Sequence, residues 1–121
     1  MSNKQEEYEA QVAIFEWAET NLNKYPDLEF MFATLNGIRL SPGLRNKAKK
    51  QGNKKGVPDI WLPIPHAEFS GLIIELKKEK GGVVRTEQKK WLKKLSACGF
   101  YATVCKGSEE AINTIEWYLK Q

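Results

Sequence analysis

The run Leu72-Ile73-Ile74-Glu75-Leu76 places a carboxylate directly behind three apolar residues, and this is the hardest demand the chain makes on its fold. Read as a strand over 71–76, its side chains alternate faces, so Leu72, Ile74 and Leu76 point one way while Ile73, Glu75 and Lys77 point the other. A half-buried ionised carboxylate carries a large desolvation penalty unless a cation meets it. Asp59, opening a preceding strand over 58–62, is the natural neighbour, and two carboxylates brought together repel and raise one pKa. A bound divalent cation relieves both problems by giving the oxygens an electropositive centre to ligate. Hard oxygen donors with positions left for water suit Mg2+ or Mn2+, whose waters a phosphate can replace. The pair therefore points to a phosphodiesterase site.

The rest of the sequence supplies the elements around it. Ala10, Ile14, Phe15, Ala18 and Leu22 recur near a helical period over 6–23, and Pro26 ends the pattern, which predicts an amphipathic helix. The apolar run 30–35, closed by Asn36-Gly37, suits a buried strand. Ser41-Pro42-Gly43 starts a short basic helix through Lys50, stopped by Gly52. Strands over 58–62 and 71–76 are joined by a loop holding Pro63, Pro65 and His66. Thr86 caps a helix with Gln88, Trp91, Leu92, Leu95 and Cys98 on its inner face and Gly99 as its stop. Residues 100–105 return as a strand. Ser108 then caps a last helix, with Glu109 and Glu110 in its first turn and Ile112, Ile115 and Leu119 inward. Strand–helix–strand connections imply an α/β fold, a mixed central sheet flanked by helices. With 121 residues and neither a repeat nor a linker, the expectation is a single domain over 1–121.

Charge is segregated along this scaffold. No acid occurs between Glu29 and Asp59, while Arg39, Arg45, Lys47, Lys49, Lys50, Lys54 and Lys55 all fall within that gap, six of them in its second half. Such segregation brings self-repulsion to a compact state, and a polyanion whose phosphates release counterions is the commonest reason to tolerate it. Nucleic acid is the leading partner on this count, against a solvated loop with a chance cluster.

Together these residues resemble a known family. Pro58-Asp59, sixteen positions before Glu75-Leu76-Lys77, is similar to the PD-(D/E)xK nuclease signature. The longer frame of Glu7-x-x-x-Gln11, Asn36-Gly37, Gly56-Val57-Pro58-Asp59, Ile74-Glu75-Leu76-Lys77, Glu87-Gln88-x-x-Trp91 and Gly99-Phe100 resembles the VRR-NUC (virus-type replication–repair nuclease) family, in its small stand-alone phage and bacterial form. The resemblance implies a restriction-endonuclease-like core, DNA hydrolysis with Mg2+ or Mn2+, a role in DNA repair, action on branched DNA like that of Holliday-junction resolvases, and a homodimer. Carried onto this sequence, it makes Asp59, Glu75 and the main-chain carbonyl of Leu76 the metal ligands. Lys77 would orient or deprotonate the attacking water, or stabilise charge on the phosphoryl group; its bland reading is an exposed strand lysine. Gln88 would hydrogen-bond the water or Lys77, or satisfy a backbone group at a helix start. Glu7, on the inward face of the first helix, would reach a metal-bound water or a second ion, or serve only as a helix-dipole partner. Asn36 would approach the DNA backbone, and Arg39, Arg45, Lys47, Lys49, Lys50, Lys54 and Lys55 would track phosphates without reading bases.

Other chemistries are thinly provided for. His66 is the sole histidine and Cys98 and Cys105 the only cysteines, so a multi-histidine zinc site and a zinc ribbon lack their residues and a Ser-His-Asp triad is excluded unless His66 alone serves. Both cysteines read as small buried groups in a reducing compartment. No apolar run approaches the roughly 20 residues needed to cross a bilayer and the first residues lack an apolar leader core, which makes a cytoplasmic protein without membrane attachment the expectation. The alternative to a nuclease is a catalytically silent nucleic-acid-binding or replication-complex accessory protein, in which the acids are structural.

Overall fold

The structure is a computed structural model and describes residues 3–34 and 38–121. In chain order these form α1 (Asn3–Thr20), a 3-10 turn (Pro26–Phe30), β1 (Phe32–Ala33), α2 (Pro42–Lys50), β2 (Ile60–Leu62), β3 (Leu72–Lys77), α3 (Thr86–Ala97), β4 (Tyr101–Lys106) and α4 (Gly107–Leu119). The strands make one sheet in the order β1-β2-β3-β4. β1 and β2 are antiparallel, as are β2 and β3, whereas β3 and β4 run parallel. A parallel pair needs a long crossover, and α3 supplies it.

β3 is the axis of the molecule, and all six of its residues are buried. Leu72, Ile74 and Leu76 join Ile60, Leu62 and Cys105 in a core closed by Ile14 and Ala18 of α1 and by Ala111, Ile115 and Tyr118 of α4. Each fully buried Leu or Ile there contributes about 1.5–3 kcal/mol of transfer free energy. Ile73, Glu75 and Lys77 turn to the opposite face. α3 packs against β4 there, with Leu95 buried and Gln88, Trp91 and Leu92 half-buried. The expected mixed α/β architecture is the one observed.

Several boundaries differ from the sequence expectation, each for a local reason. The strand read over 30–35 is preceded by a 3-10 turn, because Pro26 fixes a helical start and Leu28 and Met31 donate to the carbonyls three residues back, at 3.1 and 3.2 Å. The first helix stops at Thr20, whose hydroxyl bonds back to the carbonyls of Glu16 and Trp17. The cap of α3 is Arg85 rather than Thr86, and its main-chain N–H donates to Gln88 Oε1 at 2.8 Å. α4 begins at Gly107, so Ser108 lies inside the helix and does not cap it. Cys98, expected inside, is exposed, because α3 has already ended at Ala97; Cys105 is buried and both thiols are free. The basic helix begins as expected, with Ser41 Oγ accepting from the N–H of Leu44. Among the described residues no helix is long and apolar enough to cross a membrane.

Tyr118 ties the far end of the core together, its hydroxyl donating to the carbonyl of Ile64 at 2.6 Å while the side chain is fully buried. Tyr118→Phe leaves that carbonyl unpaired, and urea unfolding of this variant is expected to show a loss of about 1–2 kcal/mol.

Candidate active site

β2 begins at Ile60, and the two residues before it build the site. Extending the register past Ile60↔Ile74 sets Pro58 opposite Leu76, where proline has no N–H to give. The carbonyl of Pro58 is also engaged, accepting from Trp61 Nε1 at 2.9 Å and Thr34 Oγ1 at 3.1 Å. The ladder is therefore completed by a side chain, with the N–H of Leu76 donating to Asp59 Oδ2 at 2.7 Å. In an extended strand the N–H and C=O of one residue point to the same side, so the Leu76 carbonyl also turns towards Asp59. Asp59 thus precedes its strand and does not open it.

Glu75 and Lys77 face the same side of β3 and are 2% and 7% exposed. Lys77 Nζ lies 3.9 Å from Glu75 Oε2, which also accepts from Gln88 Nε2 at 3.3 Å. The carboxyl groups of Asp59 and Glu7 lie near enough for both to act on Glu75. The structure therefore brings Asp59, Glu75, Lys77 and Gln88 together with Glu7 at their border.

These are the residues of a family frame. The VRR-NUC domain model matches residues 4–109. The chain belongs to the VRR-NUC family. That is a nuclease family, and a solved structure described as a VRR_NUC domain protein is similar to this chain with a TM-score of 0.77 and 29% identity, covering 95% of this chain and 88% of that one. The VRR-NUC fold seen here is restriction-endonuclease-like. No curated protein matches.

The electrostatics of this VRR-NUC site are those of an acid held against its preference. Burial, and then the neighbouring Asp59 carboxyl, push Glu75 up from 4.5 to about 9, with Lys77 offsetting part of the rise and Glu7 adding to it. Glu7 is itself raised, first by burial, while Lys77 pulls it down, Asp59 pushes it up and Arg85 pulls it down. Glu75 Oε1 is buried and has no hydrogen-bond partner. A buried carboxyl oxygen left without a partner beside a second carboxyl group is a place where a hard divalent ion would displace the proton, and Asp59, Glu75 and the Leu76 carbonyl are the donors that could hold one. Among the described residues no three His, Cys, Asp or Glu side chains form a cage, so water would fill the other positions, as Mg2+ prefers.

Gln88 satisfies a backbone group at its helix start, one of the two roles expected of it, its oxygen accepting from the N–H of Arg85, and its nitrogen donates to Glu75, a partner the sequence did not suggest. His66 is taken up by Asp27, 3.2 Å away, and packs on Tyr118. Arg39, Arg45, Lys47, Lys49, Lys50, Lys54 and Lys55 all lie on the surface, and α2 buries none of its residues. Lys55 lies 3.7 Å from Glu87 at the start of α3. Asn36 lies outside the described residues. Two glycines matter that sequence reasoning did not assign. Gly56 has φ +84°, and a Cβ there would lie 2.6 Å from that of Glu87; a Cβ at Gly82 would lie 2.9 Å from that of Lys77. The doublet Gly81-Gly82 was visible, but not what it packs against.

The folded chain keeps the Glu75 proton up to about pH 9 while an unfolded chain releases it near 4.5, so stability is lost progressively as pH rises through that window. Chelator-treated protein is expected to lower its thermal midpoint steadily across it, and Glu75→Gln to remove most of this slope. An equal slope in both proteins would refute the assignment. Gly56→Ala forces a left-handed conformation on a residue with a Cβ, and is expected to lower stability in urea by at least about 1–2 kcal/mol.

Proposed function

We propose that this chain is a divalent-metal-dependent endonuclease that hydrolyses phosphodiester bonds in DNA, with branched DNA as its preferred substrate and a homodimer as its working form. The observation that carries the reading is the half-buried Asp59 set against the buried Glu75 beside Lys77, with one Glu75 oxygen left unpartnered. Family membership supports nuclease chemistry. The preference for branches and the dimer rest on the family resemblance alone.

In this reading Asp59, Glu75 and the Leu76 carbonyl hold Mg2+ or Mn2+, which when bound supplies Lewis-acid polarisation of a phosphoryl oxygen and a more acidic water. The protein's own groups do the rest. Asp59 is fixed by the Leu76 N–H, and Glu75 is aimed by Gln88 from α3. Lys77, buried among acids, acts as an ammonium that stabilises negative charge growing on the phosphoryl group as water adds and the ester P–O bond breaks. Glu7, raised by burial, is positioned at the solvent side to take a proton from the attacking water. Arg45, Lys47, Lys49, Lys50 and Lys54 hold the backbone of the substrate.

A gel assay of linear and four-way-junction DNA with Mg2+, Mn2+ or chelator decides the matter. Cleavage is expected only with metal and faster on the junction. Asp59→Ala and Glu75→Ala should abolish it while DNA binding survives, and Lys77→Met should slow it by about 10²–10⁴-fold. Calorimetry should detect metal uptake by the wild type and none by Asp59→Ala. Binding without cleavage under every metal condition would instead favour a silent DNA-binding protein. Light scattering of the wild-type protein should give twice the chain mass.

A further inference from the structure

We infer that the outer face of α3 is a second DNA-contacting surface, on which Lys89, Lys90, Lys93 and Lys94 follow the phosphate backbone of the duplex being cut. The inference deepens the nuclease reading and rests on it. α3 turns Gln88, Trp91, Leu92 and Leu95 inward, and the four lysines are exposed on the other side. They stand as two i, i+4 pairs of like charge, an arrangement that opposes helix formation. The acid on α3, Glu87, lies at its start and faces Lys55. Among the described residues none of the four lysines enters an ion pair. A merely solvated helix face ordinarily intersperses both signs, and this one does not.

Position gives the strip its partner. Its helix begins with the residue that reaches Glu75, since Gln88 Nε2 lies 3.3 Å from Oε2. Gly56 packs directly on the backbone of Glu87 and Gln88, so the basic tract that runs through α2 to Lys55 ends where the α3 strip starts. The two tracts therefore join beside the candidate scissile position. From Gln88 to Lys94 the helix rises about 9 Å, a length over which duplex DNA presents several charges at one per roughly 1.7 Å of axis. Lysines at this spacing neutralise phosphates and read no bases, so the partner fitted is a duplex arm of any sequence.

The test is fluorescence anisotropy with a labelled duplex in chelator, comparing wild type with the fourfold variant Lys89→Gln, Lys90→Gln, Lys93→Gln and Lys94→Gln over roughly 50–200 mM salt. Gln is as good a helix former as Lys, and circular dichroism checks that the helix persists. The slope of log K against log salt is expected to fall by about 2–4, at about 0.9 per lost phosphate contact, with affinity at the lowest salt weakened about tenfold or more. Fourfold replacement by Arg should restore both values. A Gln variant that keeps the slope and affinity of a DNA-binding wild type overturns the inference and leaves the nuclease reading standing. A wild type that neither binds the duplex nor cuts a junction overturns both.

Discussion

The bond from the Leu76 N–H to Asp59 Oδ2 is the interaction on which the rest of the structure turns. A sheet that continued normally would pair Leu76 with main chain, but Pro58 cannot donate and its own carbonyl is held by Trp61 and Thr34. The side chain of the next residue takes over the ladder's role. A hydrogen bond to a charged acceptor is worth about 1.5–3 kcal/mol, enough to fix a carboxylate in one position at the end of a strand. The consequence is geometric: an aspartate anchored to β3 at Leu76 is brought against Glu75, the residue before it.

That closeness has an opposing effect. Glu75 is destabilised by its burial and by the neighbour that the ladder fixes. Lys77 and Gln88 relieve it in part, and they come from different elements, one from the same strand and one from the first turn of α3. Gln88 meanwhile completes the start of its own helix through Arg85, so the position of α3 and the orientation of the acid are set by one amide. Gly56, wedged against that same turn with no room for a side chain, connects the basic segment to it.

Much of this was legible because it depends on alternation and spacing. The period-two pattern of β3 assigned Glu75 and Lys77 to one face, and an acid behind three apolar residues demanded a partner. Asp59 was the near candidate on the adjoining strand. The helices could be read from their apolar spacing and from Ser41, Gly52 and Gly99. What the sequence did not disclose were choices between equivalent local bonds: that the amide of Gln88 and not the hydroxyl of Thr86 would serve the start of α3, or that Thr20 would end α1 by bonding backwards. Cys98 was misplaced because one residue at a helix terminus moves a side chain from the inner face to solvent. The packing of Gly82 against Lys77 depends on a turn whose path no pattern of residue types encodes.

α2 carries a consequence of its own. A nine-residue helix with none of its residues buried draws little support from tertiary packing, and helices of that length are marginal in water by themselves. Its capping by Ser41 and the turn at Gly52 hold a shape that the core does not enforce. Such a segment belongs to the low end of the local-unfolding spectrum, with amide protons that exchange long before those of β3. Whatever docks on it must meet the entropy of ordering it, and in return meets a surface able to adjust its contour to partners of different curvature.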